Sequence, residues 1–455
     1  MHPWLPARKH LEEMLKAIGV SDPMELYSDV PPQLILKEPP KVGFGRRLSE
    51  VEMERIFASY MDKVRVFLDP PPFMGGGLCL HAVPSVVDAV ISRAEFLTAY
   101  TPYQPEINQG LLQALFEYQS LVADLLEMDV VNASMYDMST ALAEAALMAM
   151  RVTKRRKVLV PSTMHPEHLQ VLETWLSGIE AKVEKVDFDR ETGFMDLDDL
   201  EAKIDDGTAA VYVEVPSYLG FIDTNVEAIG DTAHKHGALL IAGVDPLSLG
   251  IVKPPGRYGA DIAVGEGQPL GLKLNYGGPL LGIFATRWDR NLVRQMPGRL
   301  IGLTRTVDGG ERGFMMVLQT REQHIKREKA TSNITTNEAL MAVAAAVYLS
   351  LLGGSGLRRL AEAIWYKSHY AAKRLSTLDG VTAPAFSSPF FKEFTASFPK
   401  PYTDVHKKLL GRGILGGLAL SGPPLHDSSK ALFCVTEVHS LKDIDRLVDV
   451  LGEVL

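Results

Sequence analysis

Cysteine is nearly absent. The chain of 455 residues has two, Cys79 and Cys434, far apart and without the Cys-x-x-Cys spacing of metal and redox motifs. The expectation is no disulfide framework, no structural zinc and a reducing cytoplasm. Long apolar runs are missing too: none reaches the roughly 18 residues that cross a bilayer. Met1-His2-Pro3-Trp4-Leu5-Pro6 has no basic stretch leading into an apolar one. A surplus of positive charge is also lacking. The formal net charge is −9 and is spread along the chain, whereas neutralising phosphates needs clustered Lys and Arg, so nucleic-acid binding is disfavoured. What remains, 46% hydrophobic and 23% charged, suits a globular protein large enough for two or three domains.

The chain is punctuated by proline and glycine. Ser21-Asp22-Pro23, Pro31-Pro32 and Lys37-Glu38-Pro39-Pro40 separate short helical pieces, and Ser49-Glu50-Val51-Glu52 opens a further helix. Pro70 to Pro72 and Gly75 to Gly77 close off this arm. The spacing predicts an amphipathic helix from Gln109 to Leu126. From Ser139 to about 330, helices alternate with short strands such as Ala209 to Val215, which are apolar throughout. Such strands belong to a mostly parallel sheet covered on both faces. After Asn337 an Ala-rich helix runs to Gly353-Gly354, and the remainder mixes helices with strands. The expected division is a helical arm at 1–70, a large α/β domain at 71–335 and a smaller α+β domain at 336–455.

Four segments carry chemistry. Asn132-Ala133-Ser134-Met135-Tyr136-Asp137-Met138-Ser139-Thr140 opens an Ala-rich helix; Ser139 and Thr140 suit either a phosphate at the positive helix end or plain N-capping. Tyr100-Thr101-Pro102-Tyr103-Gln104-Pro105-Glu106 is too polar for core and too aromatic for a linker; it lines a cleft or forms a rigid connector. Thr320-Arg321-Glu322-Gln323-His324 leads through a charged run to Thr331, Ser332 and Asn333, which offer short polar groups beside a basic cluster. Asp245 and the stretch Asp261 to Gly278 fall at strand ends, where ligands of open α/β sheets bind; Asp245 equally suits an Asp-Pro turn.

The first three segments together resemble the glycine decarboxylase P-protein family, specifically the alpha-type first subunit of its two-subunit form, over nearly all of the chain from about Glu50. The resemblance implies the aspartate-aminotransferase-like fold (fold type I pyridoxal phosphate enzymes). It implies a reaction in which glycine is decarboxylated and its aminomethyl group passes to the lipoyl arm of the H protein, with the T and L proteins as functional partners. Pyridoxal phosphate, as electron sink, sits on a lysine of a His-Lys pair about eight residues after Gly-x-Asp in active members. Here, counting from Gly259-Ala260-Asp261 leads to Gln268 and Pro269, and the ring-nitrogen Asp position falls near Ala242, with Asp245 about three residues late. No catalytic residue is therefore expected in this chain alone. Ser139 and Thr140 would be a vestigial phosphate site, and the cofactor would belong to a homologous beta subunit carrying the lysine. Tyr100, Tyr103, Gln104, Glu106, Thr331, Ser332 and Asn333 become candidates for completing that partner's site. The competing reading is a self-sufficient aminotransferase or lyase using Lys273 or Lys253.

The other candidates read as structural. His165-Pro166-Glu167-His168 lacks further ligands of a metal pattern, so no metal is expected. Lys154-Arg155-Arg156-Lys157 reads as a solvated cationic helix end. Cys79 has no motif of a catalytic thiol beside it.

Overall fold

Residues 10–38, 40, 42–334 and 336–455 are described by a computed structural model. The reading of Met1 to Pro6, and Pro39 of the third proline break, lie outside those residues. The chain divides into two compact units, ending and beginning at Val66 and Phe67.

The first unit contains helices α1 (Leu11–Ile18) and α2 (Glu50–Met61). Ser49 caps α2 by accepting the Glu52 N–H, and the Glu52 carboxylate returns to the Ser49 N–H at 2.9 Å. Such reciprocal capping satisfies two otherwise orphaned donors, which is why a helix starts there. None of the described residues of this unit is buried.

The second unit opens with α3 (Ser85–Ile91), α4 (Ala94–Leu97), α5 (Gln109–Leu126) and strand β1 (Val130–Val131). Then come α6 (Met138–Thr153), β2 (Lys157–Pro161), α7 (Pro166–Ser177), β3 (Lys182–Val186) and α8 (Leu197–Lys203). The series continues with β4 (Thr208–Val215), α9 (Val226–Lys235), β5 (Leu239–Val244), β6 (Ile262–Glu266) and β7 (Gly282–Thr286). The order in the sheet is β1-β7-β6-β5-β4-β2-β3. Strands β3, β2, β4, β5 and β6 are parallel, while β7 and β1 are antiparallel to their neighbours. The physical reason lies in the 267–281 link, which contains no helix to carry a parallel crossover.

Alternation explains why the strands are apolar on both sides. Tyr212 and Ile241 pack with α6 and α7, whereas Val211, Val213 and Leu240 pack with α8 and α9. Val244, Ala263 and Ile283 meet α5 and the long helix α12 defined below. With both faces covered, no strand position is left for a polar residue without a partner.

After β7 the chain forms α10 (Arg290–Gln295) and the hairpin β8 (Leu300–Arg305) and β9 (Arg312–Val317), then α11 (Gln323–Lys326). The hairpin was not expected from sequence; Thr304, Arg305 and Arg312 interrupt its apolar residues, and Leu303 and Met315 are exposed, so no regular alternation announces it. Helix α12 (Ala339–Leu375) is long and apolar enough to cross a membrane by length and composition, yet Ala342 to Ala346 and Tyr348 lie in the core. It bends at Gly353, whose φ of +57° is not helical; the glycine pair marks a kink, as its lack of side chain permits. Strand β10 (Glu393–Ser397), α13 (Tyr402–Gly411), β11 (Leu418–Ala419), β12 (Lys430–Cys434) and α14 (Leu441–Val454) complete the chain. The antiparallel sheet β10-β12-β11 packs Phe394 and Phe433 against Leu447 and Leu451 of α14.

Two expectations need correction. Cys79 and Cys434 form a disulfide across 355 residues. The segment around Phe73 runs beside β12, with Cys434 N–H donating to the Phe73 carbonyl at 2.9 Å. That backbone pairing brings the two thiols together, and no local spacing could have revealed it. The cluster at 154–157 is not wholly solvated either. Lys157 is buried and pairs with Asp205 at 2.7 Å, and Arg155 holds the His236 carbonyl at 2.7 Å.

Non-reduced protein, unfolded in denaturant and titrated with a thiol reagent, should therefore show no free thiol. Cys79→Ser should lower the thermal midpoint, a cross-link being worth about 2–4 kcal/mol. A full count of two free thiols would contradict the bond.

Candidate functional site

Parallel strands end at a common rim, and there the sequence changes from apolar to ionisable. Glu214 lies near the end of β4, Asp245 follows β5, and Glu266 ends β6. Lys392 and Glu393, at the start of β10, come in from the small sheet. Together with His165, His168, Ser217, Tyr218 and Pro269 they line a cleft of about 490 Å³.

Ion pairs and hydrogen bonds hold the ionisable groups of the cleft in place. Lys392, 3% exposed, pairs with Asp245 at 2.7 Å and lies 3.3 Å from His81 Nε2. His81 in turn meets Glu437 at 3.0 Å. Burial, with the Lys392 charge beside it, lowers the pKa of His81. Glu266 reaches back to the start of α6. One of its oxygens accepts the Met138 N–H at 3.2 Å, the other the N–H groups of Gln268 at 2.9 Å and Leu281 at 3.1 Å. Burial, reinforced by neighbouring Asp137, outweighs these donors and pushes its pKa up to about 8.

Asp137 takes the helix end itself. Its carboxylate accepts the Thr140 N–H at 2.7 Å, the Thr140 hydroxyl at 2.6 Å and the Ser139 hydroxyl at 2.9 Å. The reading of Ser139 or Thr140 as the N-cap does not hold: Asp137 is the N-cap, and both hydroxyls are turned to it. A charged capping side chain displaced them because it satisfies more donors at a positive helix end.

On the opposite wall, the rings of His165 and His168 stack at 4.2 Å, and His165 meets Tyr218 at 4.5 Å. Stacked rings do not converge on a metal. Burial pushes His168 down to about 3. Glu214 accepts the Tyr212 hydroxyl at 3.2 Å and the Tyr218 N–H at 3.0 Å, while burial pushes it up to about 7. Glu393 accepts the N–H groups of Gly76 at 2.7 Å and Gly77 at 3.2 Å. These turns demand glycine: Gly76 has φ +124°, and a Cβ at Gly75 would lie 2.6 Å from Leu432.

The family model described as Glycine cleavage system P-protein matches residues 4–451. The probable glycine dehydrogenase (decarboxylating) subunit 1 of Aeropyrum pernix is 58% identical, with all of this chain and 99% of that one covered. The protein of the same name from Saccharolobus solfataricus is 54% identical over all of this chain and 98% of its own. A solved glycine decarboxylase (P-protein) of the glycine cleavage system, in inhibitor-bound form, superposes with a TM-score of 0.90 at 40% identity, both chains fully covered. The chain belongs to the glycine cleavage system P-protein family. A sphingosine-1-phosphate lyase of Burkholderia pseudomallei shares the fold alone, with a TM-score of 0.64 at 16% identity over 92% of each chain. The fold is thus that of fold type I pyridoxal phosphate enzymes, as the sequence motifs imply.

Within this P-protein chain, the counted positions land as follows. Gln268 is buried, its side-chain amide donating to the Leu272 carbonyl at 2.8 Å, and Pro269 faces the cleft. Asp245 directly follows β5, which ends at Val244, and lines the cleft. Lys273 pairs with Asp88 at 2.6 Å with its side chain 64% exposed, and Lys253 pairs with Glu227 on the surface. Neither lines the cleft, so the reading of a self-sufficient enzyme using them is not favoured. Glu214, Glu266, Lys392 and Glu393 were missed. Two signals were present: a lone Glu in the continuous strand Ala209 to Val215, and Lys-Glu between aromatics in Phe390-Phe391-Lys392-Glu393-Phe394.

The two outlying motifs meet each other. Arg299, 2% exposed, holds the Tyr103 hydroxyl and pairs with Glu322 at 3.1 Å. Tyr103 packs on His324 with ring centres 5.3 Å apart, and the hydroxyls of Thr101 and Thr336 lie 3.4 Å apart. Tyr100, Gln104, Glu106 and Asn333 are exposed, and Thr331 is half-buried. Ser332 turns inward, its hydroxyl on buried Glu144 at 2.5 Å.

Two outcomes follow for stability. Lys392→Met strands Asp245 and should cost roughly 3–5 kcal/mol in chemical denaturation, with part regained in the Asp245→Asn double variant. Glu214 and Glu266 have pKa values raised above the ordinary 4.5. Their contribution is full below that value and lost as pH rises through about 7 and about 8. The thermal midpoint should fall across that window, and Glu266→Gln should flatten the fall; an unchanged slope would contradict the assignment.

Proposed function

We propose that this chain is the non-catalytic first subunit of a glycine decarboxylase, working beside a homologous second subunit that carries pyridoxal phosphate on a lysine. The name subunit 1 borne by its relatives implies a second subunit. In the assembled enzyme glycine would lose its carboxylate and its aminomethyl group would pass to the lipoylated H protein. The T and L proteins would act in the same system, in the cytoplasm.

The observation that carries this reading is the occupation of the cleft by the chain's own charges. Pyridoxal phosphate needs an anion cradle, a carboxylate at its ring nitrogen and an amine for its imine; bound, it withdraws electrons from the substrate. Here Asp137 and Glu266 take the helix-end donors, which places two carboxyl groups where a phosphate dianion would go. Asp245 is already neutralised by Lys392. Gln268 and Pro269 have no amine. The residues present do not fit the cofactor, and Lys392, the amine lining the cleft, is engaged by Asp245.

The chain's contribution would then be its joined loops. Arg299 and Glu322 hold Tyr103 and the 320s segment as one unit, and Ser332, anchored on Glu144, sets the position of Thr331 and Asn333. Exposed Tyr100, Gln104, Glu106 and Asn333 are the groups free to reach a partner's site.

Borohydride reduction of the purified chain with pyridoxal phosphate should trap no lysine adduct; a modified Lys392 or Lys273 peptide would sink the reading. In the co-expressed complex, Tyr103→Ala and Asn333→Ala should each lower decarboxylation by about tenfold or more, with subunit association intact. Wild-type rates would remove the role given to the loops.

A further inference from the structure

The cleft carries more carboxyl groups than cations. Four carboxyl groups reach it, from Glu214, Asp245, Glu266 and Glu393, on four different strands or strand ends. One amine answers them, and Lys392 is engaged by Asp245 at 2.7 Å. His165 and His168, on the same wall, have pKa values lowered by burial and add no charge at neutral pH. Glu393 lies near enough for its charge to raise Glu214. Burial disfavours the charged form of a carboxyl, and Glu214, Glu266 and Glu393 are all raised chiefly by it.

Independent of charge, two polar atoms on this wall are left without partners. Ser217 is 6% exposed, and its hydroxyl has no hydrogen bond. His168 Nδ1 has none either, with Glu214 at 3.9 Å. A buried polar atom without a protein partner is open to a hydrogen bond from a small molecule or water in the cleft. Beside them stand the ring faces of His165 and Tyr218, 4.5 Å apart. Carboxyl groups and aromatic rings around a space that admits only a few water-sized groups are the chemistry of recognition of a small ammonium. An anion is excluded by the same groups.

We propose that the cleft is a second small-molecule site of the P-protein assembly, binding a small protonated amine between Glu214, Glu393 and the Ser217 hydroxyl, against the rings of His165 and Tyr218. The proposal rests on the reading that no cofactor is held there. The ammonium supplies the cation that the cleft lacks, hydrogen-bonds Ser217, and ionises the facing carboxyls, whose protons pass to solvent. Binding is therefore accompanied by proton release and weakens in acid.

Titration calorimetry of the purified full chain with methylammonium chloride tests this. Run in buffers of different ionisation enthalpy, it should give one saturable site with protons released near neutral pH. Affinity should fall by about tenfold in Glu214→Gln and at about pH 5. Ser217→Leu, which fills the cleft, should abolish binding; thermal unfolding of both variants confirms that they fold. Inorganic phosphate should give no heat of binding. No saturable heat with methylammonium, or binding indifferent to both substitutions, would overturn the proposal. If the borohydride experiment is also negative, only this inference falls. A trapped cofactor adduct would instead strike the reading on which it rests.

Discussion

The cleft depends on the pairing of Lys392 with Asp245. A buried carboxylate at a strand end is costly unless a positive charge sits against it. In a fold built around a cationic ring, that charge comes from a ligand. Here it comes from β10, and 2.7 Å of separation closes the account within one chain. The pair also ties the small sheet to the rim of the large one, since Asp245 follows β5 while Lys392 precedes β10. His81 and Glu437 extend the tie to the segment before α3.

Glu266 solves the complementary problem at the other end of the cleft. A helix that begins at a sheet rim presents unpaired N–H groups, and something must accept them. Asp137 and Glu266 do so from within the chain. The cleft is thereby left with compensated ends and an acidic middle. Its glycine loop, Gly75 to Gly77, stays pinned over it by Glu393 and by the disulfide further along.

The loops that carry the family motifs obey a different constraint. Arg299 is almost wholly buried, and its charge is met by Glu322 while Tyr103 caps it. Two segments two hundred residues apart are joined by that one guanidinium. The exposed side chains around it owe their positions to the join.

Much of this was legible in residue order. Periodicity located α5 and β4 nearly to the residue, and apolar strands alternating with helices announced the parallel sheet between two helical layers. Three motifs in register identified the family, and the absence of an amine at Gln268 and Pro269 was countable. Tertiary structure alone decided the rest. The disulfide joins residues 355 apart, the hairpin β8–β9 hides in mixed polarity, and Asp245 takes its place only because β5 continues to Val244. Above all, Lys392 and Glu266 read as incidental charges until the fold sets them face to face with Asp245 and the end of α6. Charge compensation acts through space, so a linear order can show which charges exist but not which of them meet.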